Sequence, residues 1–301
     1  VESAGTAAQV AFLGKSTQYR HMGKRGRLLF MVAAITLLVV LMWRALPPPE
    51  PAYKGKSLSY WLVQRTDSDK QVERDAAAVA IRAIGTNAIP TLLQMMREKE
   101  SPFKSRWLAR RWYHFFSVIY FSEPAGILER AEEGFDVLGP SAASAVPELS
   151  KILDDNLSSE CSSRTANALG NIGPDAGAAV PSLLRAALKT NGTAHFEAFG
   201  ALGKIHANPD SVVPVLLWVV SNTPADRMYA IDALGQYRGD AKTAVPALVA
   251  LLNDPNVKSI SPYGKGFVSD RSQVERALHQ IDPETYARVV TNGPANTNKD
   301  L

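Results

Sequence analysis

The sequence predicts an all-α fold: a solenoid of stacked helix pairs, armadillo-like in plan, preceded by one N-terminal transmembrane helix. Three observations predict it. A Val-Pro-x-Leu pattern recurs at Val146-Pro147-Glu148-Leu149, Val180-Pro181-Ser182-Leu183, Val213-Pro214-Val215-Leu216 and Val245-Pro246-Ala247-Leu248, with prolines 34, 33 and 32 residues apart. Ala168-Leu169-Gly170, Ala201-Leu202-Gly203 and Ala233-Leu234-Gly235 keep the same step, each glycine eleven residues before the next repeat proline. Two markers in constant phase define a repeat. The third observation is the run LLFMVAAITLLVVLMW at 28–43, in which only Thr36 is polar.

From the N-terminus, residues 1–27 form a basic segment. The chain of 301 residues carries a net charge of +4, which would suggest a polyanionic partner, but the charge is unevenly placed. Residues 1–56 hold eight Lys and Arg against Glu2 and Glu50, whereas the other 245 residues hold 25 basic and 27 acidic side chains. The body is therefore nearly neutral, and no nucleic acid is expected as a partner. Met22, just before Lys24, Arg25 and Arg27, is a candidate initiator.

Residues 28–46 follow as the membrane anchor, a short span for a bilayer that takes about 20 residues. The exit Trp43-Arg44-Ala45-Leu46-Pro47 sets bulky groups where signal cleavage needs small ones, which favours an uncleaved anchor. Lys24, Arg25 and Arg27 crowd its N-terminal flank. By the positive-inside rule the N-terminus is then cytoplasmic and the body extracytoplasmic, in the periplasm. Residues 47–56, opening with Pro47-Pro48-Pro49, read as a stiff Pro-rich linker.

Residues 57–290 read as the repeat domain and 291–301 as a disordered tail. In each unit an Ala-rich helix carries the glycine, which suits either a helix end or a close helix crossing. A Gly-Pro-Ser or Gly-Pro-Asp turn (Gly139-Pro140-Ser141, Gly173-Pro174-Asp175) leads to the next helix, with Ser141 or Asp175 as expected caps and the repeat proline near the first turn. With Ile89-Pro90-Thr91-Leu92 as a further unit, this pattern resembles the HEAT repeat, most closely the short phycobilisome-lyase-like type. The lead-in from Tyr53 to Leu62 is similar to that of bacterial membrane-tethered HEAT proteins, and implies a capping helix whose aromatics pack on the first repeat.

Two insertions interrupt the period, an aromatic one at 101–122 and a loop at 256–272. The first is free of acids and holds Lys104, Arg106, Arg110 and Arg111 with Trp107, Trp112, Tyr113, Phe115, Phe116, Tyr120 and Phe121. Its apolar second half suits burial, while Arg106, Trp107, Arg110, Arg111 and Tyr113 have the composition of a partner-binding surface. Alignment of the glycine-bearing helices sets Arg74, Ser162, His195, Arg227 and Arg271 at one position. The HEAT resemblance implies a structural inter-repeat ladder with Asp there, and partner contact is the alternative reading that places Arg74, His195 and Arg227 among the candidate partner-binding residues.

No catalytic, cofactor-binding or metal-binding set is legible. The histidines show neither HxH nor HExxH spacing, and Gly14-Lys15-Ser16 and Gly55-Lys56-Ser57 lack the earlier glycine of a phosphate loop. The single cysteine, Cys161, excludes a disulfide framework and reads as a small core residue. The expectation is a non-enzymatic, membrane-anchored scaffold for an unknown protein partner, with no cofactor. The alternative implied by the resemblance is a bilin-lyase-like enzyme or chromophore-binding protein.

Overall fold

The computed structural model describes residues 30–32, 34–37, 50–97, 124–189, 194–254 and 270–292. The chain divides into two units, Val1–Pro49 and Glu50–Leu301. In the first unit, residues 30–32 and 34–37 are helical, with Phe30, Met31, Val32, Ile35 and Leu37 all exposed. The remainder of 1–46, the aromatic insertion at 101–122 and the tail from 293 lie outside the described residues.

The second unit begins earlier than expected. Glu50 accepts hydrogen bonds from the amide and the hydroxyl of Ser59, at 3.1 and 2.7 Å. Strands β1 (Ala52–Tyr53) and β2 (Lys56–Ser57) pair antiparallel around Lys54 and Gly55, both at positive φ. The linker expected over 47–56 therefore ends before Glu50, because a two-residue turn there closes a hairpin. Helix α1 (Leu58–Asp67) follows, its N-terminus capped by the Ser57 hydroxyl, which accepts from Tyr60 N at 3.4 Å. Leu58 and Leu62 are fully buried, and Trp61 packs on the core while its Nε1 donates to the Tyr53 carbonyl at 3.3 Å. The expected capping helix is present.

The array then runs α2 (Gln71–Ile84), α3 (Ile89–Arg97), α4 (Pro124–Leu138), α5 (Val146–Asp155), α6 (Ser159–Ile172), α7 (Val180–Ala187), α8 (Ala194–Ile205), α9 (Pro209–Asn222), α10 (Arg227–Gln236), α11 (Val245–Asn253), α12 (Asp270–Ile281) and α13 (Pro283–Asn292). Helices α4, α6, α8, α10 and α12, all but the last bearing glycine, pack on one another in sequence, while α3, α5, α7, α9 and α11 each pack on the helix that follows. Apolar side chains from both layers meet in one continuous core. Each pair thus buries its apolar face only against its neighbour. The loop expected over 256–272 stops short of its last three residues, which start α12; α13 ends two residues beyond 290.

The glycines mark crossings rather than helix ends. Gly170 lies inside α6, and a Cβ there would stand 3.0 Å from the Ala201 Cα of α8. The helix instead ends at Gly173, with φ of 80°, a conformation that glycine adopts without strain. Short 3₁₀ turns follow, at Gly85–Ala88, Gly139–Ala145, Gly173–Ala179 and Arg238–Ala244. The caps expected from Ser141 and Asp175 do not form: the 3₁₀ turn runs straight into the helix, so its own carbonyls take the first amides, as Ala143 takes that of Val146. Pro147, Pro181 and Pro246 sit in the first turn as expected. Pro214 does not: α9 begins at Pro209, after left-handed Asn208, leaving Pro214 in the helix interior.

This connectivity gives the array two unlike edges. One carries the near-uniform 3₁₀ turns. Among the described residues, the other carries the returns at 156–158 and 223–226. In repeat arrays such an edge is often the binding side.

Among the described residues, Gln71–Arg97 is long and apolar enough to cross a membrane. It is interrupted by the turn at Gly85, and Ala77, Ala80, Ile81, Leu92 and Met96 are fully buried in the core. Its apolar face is accounted for by the first repeat.

Candidate functional site

The position shared by Arg74, Ser162, His195, Arg227 and Arg271 sits at or near the start of α2, α6, α8, α10 and α12 in turn, on the edge opposite the 3₁₀ turns. Its side chains reach back to the end of the preceding helix. Arg74 Nη1 donates to the Ser68 carbonyl at 2.7 Å, Arg227 Nε to that of Val220 at 2.8 Å, and Arg271 Nη1 to that of Leu252 at 3.3 Å. Ser162 donates to Asn156 Oδ1 at 3.0 Å. The three arginine contacts are C-terminal caps, in which a cation meets carbonyls left free by the helix end. The expected ladder with Asp is realised once, where His195 Nε2 lies 3.0 Å from Asp226 Oδ1, with both residues buried. Arginine has the reach to find carbonyls first, which explains the difference.

The second layer carries a different register. The residue seven places after a repeat proline meets residues one and four places after the next. Arg97 on α3 pairs with Glu148 on α5. Asp154 on α5 accepts from Ser182 at 3.0 Å and from Arg185 Nη2 at 2.8 Å, both on α7. Burial pushes the Asp154 carboxyl up, but hydrogen bonds from Arg185 and Ser182, with the charges of Arg185 and Lys189, outweigh it and hold the group below its ordinary range.

One repeat further the same three places hold Leu188, Val215 and Trp218. No ion pair bridges α7 and α9 there among the described residues; a groove of about 440 Å³ opens instead, lined by Leu188, Pro214, Val215, Trp218 and Val219. Trp218 is 56% exposed and Leu188 46%. Large apolar side chains standing open together on a surface mark interaction sites.

Leu188 also borders a second, more polar cleft of about 480 Å³, lined by Asn156, Ser158, Ser159, Ser162, Lys189 and His195. The two spaces lie on either side of Leu188 and of the His195–Asp226 pair. Asp226, held by His195, is the only carboxylate that lines either of them among the described residues.

Of the candidate residues read from sequence, Arg106, Trp107, Arg110, Arg111 and Tyr113 lie outside the described residues. Arg74 and Arg227 are half-buried structural caps, and His195 alone touches a cleft. Trp218, Leu188 and Lys189 were missed, although the aligned prolines carry the signal: the fourth residue after each is Gln94, Lys151, Arg185, Trp218 and Ala250 in turn. Cys161 is buried as expected; its thiol donates to the Met96 carbonyl at 3.1 Å, and burial pushes its pKa up.

The family model described as PBS lyase HEAT-like repeat matches residues 226–254, which span α10, its 3₁₀ turn and α11. A comparison with curated proteins finds no match. The matched segment is one helix pair of an array in which that pair recurs.

Proposed function

We propose that this HEAT-repeat protein, whose repeat is of the phycobilisome-lyase-like type, is a membrane-anchored scaffold that binds another protein. The groove between α7 and α9 carries the reading. A face built from ion pairs in its first repeats turns apolar and open at Leu188 and Trp218, and exposed aromatic anchors of this kind dominate protein interfaces. Surface complementarity, with no chemical step, is the mechanism. The exposed apolar helix near residues 30–37 and the basic flank before it support a single-pass anchor, with a cytoplasmic N-terminus and the repeats outside the cytoplasm.

Protease treatment of intact spheroplasts tests the topology: digestion of the repeat domain from outside agrees with it, and protection until lysis opposes it. The family description favours a second reading, a bilin-lyase-like enzyme or chromophore-binding protein. Stable, stoichiometric absorbance after incubation of the purified protein with a bilin would displace the scaffold reading.

A further inference from the structure

We infer that the α7–α9 groove and the cleft beside it together receive a segment of the partner protein in which a bulky apolar side chain stands next to a carboxylate. The inference rests on the scaffold reading and adds the chemistry of what is bound.

Two features of the surface select that segment. The first is size and polarity. The groove has Pro214 and Val215 on one wall, Leu188 on the other and Trp218 at its rim, and its volume of about 440 Å³ accommodates a Leu, Phe or Trp side chain with its backbone. Such a side chain would remove Leu188 and Trp218 from water together. The second is charge. Across Leu188 the polar cleft offers Lys189 and the hydroxyls of Ser158, Ser159 and Ser162. Arg185, near the end of α7, adds a second cation that is paired with Asp154. Asp226, which borders the apolar groove, is occupied by His195. Lys189 is the one Lys, Arg, Asp or Glu side chain that lines the polar cleft among the described residues, so an incoming carboxylate meets a cation and hydroxyl donors there, and an incoming ammonium group meets a like charge. Because both spaces share Leu188, the apolar and acidic groups must be near neighbours in the segment.

The occupant could instead be a second copy of this chain or a segment without acids, and one experiment separates these. The full chain, held in detergent micelles, is panned against a phage-displayed library of random twelve-residue peptides. The expected result is enrichment of peptides in which Leu, Phe or Trp lies within two residues of Asp or Glu. Trp218→Ser should reduce their recovery at least tenfold, and Lys189→Glu should shift the preference to Lys- and Arg-bearing peptides. Both side chains are exposed, and circular dichroism on each variant checks that the helices persist.

An enriched motif that lacks acids, or one that survives both substitutions, overturns the inference while leaving a scaffold that binds elsewhere. A dimer of the full chain that Trp218→Ser converts to monomer in sedimentation assigns the groove to a second copy, which also overturns it. Failure of any motif to enrich counts against the groove, and if accompanied by bilin binding it removes the scaffold reading as well.

Discussion

Leu188 and Trp218 line one groove between α7 and α9, at the two places where Asp154 and Arg185 form a 2.8 Å ion pair one repeat earlier. The repeat sets equivalent residues of α5 and α7, and of α7 and α9, at these two places. Side-chain identity then decides whether the junction is closed by charge or left open.

An exposed tryptophan should contribute little to folding. Trp218→Ser is expected to change stability by no more than about 0.5 kcal/mol, as substitutions at open surface positions do. Leu216, two residues away and fully buried, should cost about 2–5 kcal/mol when replaced by Ala. Guanidinium unfolding of both variants checks the contrast, and a comparable loss in Trp218→Ser would mean that its ring is part of the core.

Asp154 gives a pH-dependent increment. Its folded pKa is lowered, so its contribution is present in full above the unfolded value near 3.8 and is lost as pH falls through the lower folded value. Its side chain is 40% exposed and that of Arg185 58%, so solvent screening limits the pair to less than about 1 kcal/mol. Unfolding of wild type and Asp154→Asn between pH 7 and pH 2 should show a small gap that closes in acid. A gap that widens in acid would reverse the sign of the account.

His195 and Asp226 are expected to be strongly non-additive. Asp226 is buried against His195, so removing the imidazole strands a buried carboxylate at a penalty of about 1–3 kcal/mol. The double variant His195→Phe, Asp226→Ala should lose less than the sum of the two single changes. Equal and additive losses would show that the two side chains are satisfied independently.

The glycines separate by what stands opposite them. A Cβ on Gly170 would meet the Ala201 backbone at 3.0 Å, so Gly170→Ala should force α6 and α8 apart at a cost of about 1–3 kcal/mol. A Cβ on Gly203 would meet only the Gln236 side chain, at 2.8 Å. That chain can swing aside, and the alanine adds up to about 1 kcal/mol of helix propensity. Thermal unfolding of the two variants should therefore shift in opposite directions or differ by several degrees.

Much of this fold was legible in sequence because the repeat restates its rules at Pro147, Pro181 and Pro246. The alternation of the two helix types followed from the phase of the repeat, and the cap around Trp61 from the HEAT resemblance. The hairpin at Ala52–Ser57 did not, since its turn is set by the two positive φ angles at Lys54 and Gly55 rather than by any apolar alternation. Nor did the carbonyl caps made by Arg74, Arg227 and Arg271, because which acceptor an arginine finds depends on where the preceding helix ends. The groove was readable in principle. Trp218 breaks the polar series Gln94, Lys151, Arg185, but a tryptophan in an apolar run looks like core until the helix face is known.

The most direct test of the scaffold account is site-specific photo-crosslinking in intact cells carrying the full chain, with the probe residue placed at 218 or at the equivalent exposed position 151. The account predicts discrete protein adducts from 218 and none from 151. Equal labelling from both positions, or no adduct from 218, would contradict it.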